Sequence, residues 1–190
     1  MADFSFNVSE FRNALQGGAR PNLFEISLTP PDGVTDPGGI FDADGDFKFL
    51  CRSGAIPSFS LGIIEVPFRG RRIKLPGDRT FADWTVTVIN DVGGNMRAVF
   101  DNWMAFINNP DGEDALRTSQ DDYRCTVRIA HLDGGGEATR VYELRDAFPT
   151  DIGAIDLSYD NTDVIQEFTV TFQYHYFEVG EDGGDPVAAG

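Results

Sequence analysis

Asp42, Asp44 and Asp46 alternate with the spacing that opens a calcium-binding loop. Such a loop needs a glycine at its sixth position for the sharp turn and a bidentate glutamate at its twelfth. Here those positions hold Phe47 and Ser53, so the run reads as an acidic turn. His131 and His175 are the two histidines, and neither has a cysteine or second histidine at metal-ligand spacing. No GxSxG, HExxH, GxxxxGK[ST] or GxGxxG occurs. The carboxylates scatter over predicted loops and strand faces, so no acid/base pair can be named. The reading is a chain that is not an enzyme and calls for no cofactor and no metal.

Charge carries more information. The chain holds 31 Asp+Glu against 15 Lys+Arg, a formal −16. That excludes a phosphate-gripping surface, because nucleic-acid binders are usually basic. Two explanations remain: solubility, or a surface that must repel a polyanion. One dense basic cluster stands against this background, Arg69, Arg71, Arg72 and Lys74. It follows Ile63, Ile64, Val66 and Phe68, a run too apolar for a free loop. These eight residues are expected to contact a neighbouring subunit, the cations meeting its carboxylates. Burial in the subunit's own core is the alternative for the apolar four.

The elements that must position them follow from periodicity. Phe24, Ile26 and Leu28 alternate with polar residues in a first strand, and Phe47 to Arg52 predicts a second that pairs back on it. Between them, 30–46 is a polar loop. Pro76-Gly77-Asp78 reads as a turn. Trp84, Val86 and Val88 then form one face of a strand. After Gly93-Gly94, Met96, Val99, Phe100, Trp103, Phe106 and Ile107 recur at helical spacing, with Asn95 as the expected cap and Trp103 buried. Tyr123 to Ile129 and Val141 to Arg145 make strands about the turn Asp133-Gly134-Gly135-Gly136. A short strand is expected around Ile155-Leu157-Tyr159. The last has Phe168, Val170, Phe172, Tyr174 and Tyr176 on one face. The start, 1–18, reads as an arm with two helical turns, and 179–190 as a flexible acidic tail. No signal peptide or membrane span is legible, so synthesis in a cytoplasm without a membrane anchor is expected, and Cys51 and Cys125 should be buried free thiols. The fold class is all-β with one main helix, a small β-barrel or sandwich.

Four stretches carry a resemblance: ARPNLFEISL at 19–28, GDRTFADWTVTVIND at 77–91, FDNWMAF at 100–106 and FPTDIGAIDLSYDNTDVIQEFTVTFQYHYFE at 148–178. Together the chain resembles the tail tube proteins of contractile-tailed, T4-like bacteriophages over residues 19–178. The loop at 30–46 departs from that pattern as an insertion in the first hairpin, and so does the acidic tail. The resemblance implies a structural protein whose strands join across subunits into a hexameric ring. Rings stack into a hollow tube within a contractile sheath that conducts the viral genome into the host. It also implies the partners: further copies of itself, the sheath protein, and baseplate and tail-terminator proteins. DNA would pass through the lumen without specific binding. The place of action would be the virion tail, assembled in the host cytoplasm. A tube subunit of a contractile bacteriocin or type VI-like secretion system is the runner-up. An acidic ligand-binding β-sandwich is a third reading from another class.

Overall fold

The computed structural model describes residues 7–15, 18–41, 47–109, 122–160, 162–180 and 187–188. In chain order the elements are α1 (Val8–Leu15), β1 (Phe24–Leu28), α2 (Phe47–Leu50), β2 (Cys51–Gly54), β3 (Phe59–Phe68), β4 (Arg71–Phe81), β5 (Trp84–Ile89), α3 (Asn95–Ile107), β6 (Cys125–Leu132), β7 (Ala138–Ile152), β8 (Glu167–Gln173), β9 (Tyr176–Gly180) and β10 (Val187–Ala188). One antiparallel sheet has the order β1-β6-β7-β8-β5-β2, with β9 and β10 joined through β7. The hairpin β3–β4 forms a separate two-stranded sheet. The fold is mostly β with one main helix, as expected. The sheet is open, with β1 and β2 at the two ends of its path. It curls until those ends meet through side chains. A Cβ placed on Gly54 of β2 would lie 2.7 Å from Ile26 Cδ1 of β1.

The strand with the clearest alternation delivers its apolar face to the core. Trp84, Val86 and Val88 are buried, opposite Phe172, Val170 and Phe168 of β8. Helix α3 covers that face with Met96, Val99, Phe100 and Trp103, all fully buried. Phe100 and Trp103 meet Phe172 edge-on at 6.2 and 6.1 Å between centroids. Both indoles keep a partner for their N–H, as buried tryptophans need. Trp103 donates to the Tyr123 carbonyl at 2.9 Å and Trp84 to that of Ala55 at 2.6 Å. Burial pushes the Cys51 thiol up to about 12 and moves Cys125 upward too, because a thiolate there would lose its solvent.

Several expectations need correction. Asp91, not Asn95, caps α3: its carboxylate accepts from Met96 N at 2.9 Å, Gly93 N at 3.2 Å and Asn95 Nδ2 at 3.0 Å. Pro76-Gly77-Asp78 lies inside β4. A proline can sit there because each strand of a two-stranded ladder has one unpaired edge. Phe47–Leu50 is a helical turn, and β2 pairs with β5 rather than β1. Its alternation was a mirage: Phe47 is buried but Phe49 is exposed. The loop from Pro30 therefore does not bridge a hairpin. Within its described part Ile40 and Phe41 are buried, with Phe41 4.6 Å from Phe47. Asp42, Asp44 and Asp46 lie outside the described residues.

The short strand expected around Ile155-Leu157-Tyr159 is also absent. Residues 153–158 have no regular structure, and β7 instead runs fifteen residues through Pro149 to Ile152. Its first half pairs with β6 and β9, its second with β8. At the junction Asp146 has φ 57°, and His175 N donates to the Arg145 carbonyl at 3.0 Å. This kink reverses the phase of the last strand. Phe177 is buried, whereas Tyr176, expected on the core face, is exposed. Residues read as a free tail partly return to the sheet: β9 runs to Gly180, and Val187 pairs with Val179.

Candidate inter-subunit interface

The hairpin β3–β4 is built by its turn. Phe68 pairs with Arg71, leaving Arg69-Gly70 as a two-residue loop. Both have positive φ, 46° and 81°, the signature of a type I′ turn whose twist matches the flanking strands. Ten residues of β3 project about 33 Å at the rise of a strand. Every residue of β3 is exposed.

The base of the hairpin is anchored by aromatics. Phe81 lies 5.6 Å from Phe177 and 5.9 Å from Tyr174, and Phe59 lies 5.9 Å from Phe177. The Tyr174 phenol is pushed up, first by burial and then by the Asp83 carboxylate. Further out, no buried core side chain comes from the hairpin.

Residues directly opposite on an antiparallel ladder share a face. Register therefore splits the eight residues that the sequence singled out. Ile64, Val66, Phe68 and Arg71 share one face with Ile73 and Leu75. Ile63, Arg72 and Lys74 share the other with Glu65, Pro67 and Pro76. Arg69 stands at the turn. The first face is an apolar stripe, with Ile64 53%, Phe68 59% and Ile73 50% exposed. The second is charged. Arg72 Nη1 meets Glu65 Oε2 at 2.8 Å, an exposed pair of small energetic weight. Arg69 covers the Phe68 ring at 5.5 Å and Arg79 the Phe59 ring at 4.8 Å.

Ile73 and Leu75 were missed from the sequence because the turn assigned at Pro76 cut the segment short. Their alternation with Arg72 and Lys74 was the available signal. Core burial, the alternative for the apolar four, is not what the subunit adopts. An isolated two-stranded hairpin is marginal in water, and a large exposed apolar patch marks a partner surface.

Among the described residues no three His, Cys, Asp or Glu side chains come together as a metal site. His131 is held structurally, with Nδ1 3.2 Å from Thr139 Oγ1 and Nε2 3.2 Å from the Arg20 carbonyl. Among the described residues no helix is long and apolar enough to cross a membrane.

The chain is 29% identical over 173 residues to the tail tube protein gp19 of Enterobacteria phage T4, covering 90% of this chain and 99% of that protein. It is 28% identical over 170 residues to the tail tube protein of Serratia phage KSP90, covering 88% and 93%. Among solved structures, the sheath–tube complex of the extracellular contractile injection system PVC contains a chain with TM-score 0.61 at 16% identity, covering 93% and 99%. A chain of the anti-feeding prophage cap has TM-score 0.63 at 16% identity, covering 95% and 99%. At these identities the two structures speak for the fold. A family model described as phage tail tube protein matches residues 19–180. A mostly β core with one main helix, and that match across most of its length, place this chain in the phage tail tube protein family.

Proposed function

We propose that the chain is the structural subunit of a contractile-tailed phage's tail tube. Six copies form a ring, and rings stack into a hollow tube that conducts the genome through the sheath. The observation that carries this reading is the projecting hairpin, whose apolar stripe is covered by no element among the described residues. The eight residues Ile63, Ile64, Val66, Phe68, Arg69, Arg71, Arg72 and Lys74 are its contact set, with Ile73 and Leu75 added. Sheath, baseplate and tail-terminator proteins are the further partners. The role is non-enzymatic. The tube is assembled in the host cytoplasm and then belongs to the virion.

The outer face of the β5–β8 ladder suits the lumen. Thr85 stands opposite Thr171, their hydroxyls 3.1 Å apart, and Thr87 opposite Thr169. Arg52 at its border is paired with Glu167. Uncharged hydroxyls wet the wall, while the subunit's −16 denies DNA the phosphate contacts that tighten binding.

A second reading, a tube subunit of a contractile bacteriocin or type VI-like system, is favoured by the fold shared with the PVC tube–sheath assembly. Negative-stain microscopy of the purified protein tests the tube reading. Rings or tubes are expected. A monodisperse single domain at every salt and protein concentration would falsify it. Packaging of the protein into DNA-filled particles separates the phage from the injection system.

A further inference from the structure

The hairpin leaves the subunit at one end of the β5–β8 ladder. Only two residues separate Phe81, the end of β4, from Trp84, which pairs with Phe172. At the ladder's other end Ile89 pairs with Glu167, and here a second exposed apolar segment enters. Residues 154–160 and 162–166 belong to no helix or strand, and β8 begins at Glu167. Leu157 is 80% exposed, Val164 and Ile165 68% each, and Tyr159 fully. Leu157, Val164 and Ile165 line, with their neighbours, a hollow of about 360 Å³.

The two surfaces have opposite charge. Residues 59–81 hold five cations (Arg69, Arg71, Arg72, Lys74, Arg79) and two anions (Glu65, Asp78), net +3; subtracting that from −16 leaves −19 on the rest. Residues 154–167 hold Asp156, Asp160, Asp163 and Glu167 and no Lys or Arg. Each surface is apolar at its centre with charge around it, the pattern of a specific interface. About 20 Å of ladder, six residues at the rise of a strand, separates them. Complementary patches at opposite ends of one rigid ladder are the arrangement that joins copies head to tail.

We propose that the apolar stripe of the β3–β4 hairpin on one copy docks on the 154–167 loop of a second copy. The docking rests on the tube reading and names the partner surface within it. Ile64, Val66 and Phe68 cover Leu157, Val164 and Ile165. Arg71, the cation on the stripe's own face, and Arg69 at the turn meet Asp156, Asp160 and Asp163, fixing register and orientation.

Charge exchange tests it. One variant carries Arg69→Glu and Arg71→Glu; the other carries Asp156→Lys, Asp160→Lys and Asp163→Lys. All five side chains are exposed, so thermal melts of both should match the wild type. Each variant alone should need about 100-fold more protein to sediment as polymer, since like charges now face each other. An equimolar mixture should polymerise near the wild-type concentration, because the two alternate. Full polymerisation of either variant alone overturns the proposal. So does failure of the mixture to recover. Binding of duplex DNA that the hairpin variant loses, while its polymerisation is intact, assigns the cations to nucleic acid and overturns it too. Cross-linking separates this docking from the tube reading. Ile64→Cys with Leu157→Cys and a bis-maleimide should give intermolecular dimers even from protein that forms no tubes. Tubes without that cross-link leave the tube reading standing and sink the docking. Absence of both sinks both.

Discussion

Gly62 and Gly77 face each other across the β3–β4 hairpin with no room for a side chain between. A Cβ on Gly77 would lie 3.1 Å from the carbonyl carbon and oxygen of Gly62. Here the register slips, Leu61 pairing with Arg79 but Ile63 with Pro76. The extra residue on β4 makes a bulge, which bends the strand and re-aims what lies outward of it. The apolar stripe is therefore aimed by two glycines.

Gly77→Val should push the strands apart and misdirect the stripe. Because this part of the hairpin buries no core side chain, monomer stability should fall by less than about 1 kcal/mol. Polymer formation should nevertheless be lost. A variant that sediments as polymer like the wild type shows that the bulge does not set the interface.

Trp103 is fully buried, so Trp103→Ala should cost roughly 3–5 kcal/mol in chemical denaturation. Trp103→Phe keeps most of the apolar volume but strands the Tyr123 carbonyl. It should cost less than the alanine variant, on the order of 1–3 kcal/mol. Equal losses would mean that the indole N–H bond to Tyr123, not packing, dominates.

Asp91→Ala removes three acceptor contacts at the start of α3 and should cost about 0.5–2 kcal/mol. Asn95→Ala should cost less, since Asn95 only donates to Asp91. The reverse order in urea denaturation would restore Asn95 as the cap.

The two thiols give a pH dependence of known sign. Cys51 is held up to about 12 by burial and Cys125 is raised as well, whereas an unfolded thiol ionises near about 8.5. Between those values the folded chain binds more protons than the unfolded one. Stability contributed by the thiols is complete below about pH 8.5 and declines as pH rises toward 12. From pH 8 to 10 the wild type should lose about 1–2 kcal/mol per thiol more than a Cys51→Ala, Cys125→Ala variant. Parallel curves for the two proteins would show that the thiols ionise alike in both states.

Assembly should strengthen with sodium chloride. Six copies at −16 each carry 6 × −16 = −96. At about 0.01 M salt the Debye length is near 30 Å and repulsion reaches across a subunit; at about 1 M it is about 3 Å. The hairpin's +3 meets only local carboxylates and cannot neutralise the ring. Analytical ultracentrifugation should show monomers shifting to rings or tubes across that range. Polymers that dissolve as sodium chloride rises would mean that ion pairs outweigh apolar burial.

Much of the subunit was legible because its signals are local. Trp84-Val86-Val88 and Met96-Val99-Phe100-Trp103 carry their periods in the sequence, and both elements form as read. Pro76 misled because a proline's meaning depends on whether its strand edge is paired, which is a tertiary fact. Tyr176 misled because the phase flip at His175 answers a kink at Asp146 on another strand. The contact segment was legible as apolar and basic, but its division into an apolar and a charged face needs the bulge and the register. Leu157 and Tyr159 looked like a strand face from their alternation alone. No neighbouring edge is there to pair with them, because β7 has already taken its place beside β8.

The order of the strands also sets a timetable during synthesis. Ile26 pairs with Ile129, which is 129 − 26 = 103 residues later, and the central strand β8 comes from the last quarter of the chain. At roughly 5–20 residues per second a ribosome needs about 5–20 s to supply β1 with its partner. The hairpin β3–β4 pairs only with itself and can close within about 1–10 μs of emerging. It is thus ready long before the main sheet. The loop 154–167 emerges immediately ahead of β8, so a nascent chain has one half of its docking pair and not yet the other. Polymerisation on the ribosome is held back by translation order, and a subunit becomes able to accept a neighbour only as its own core closes.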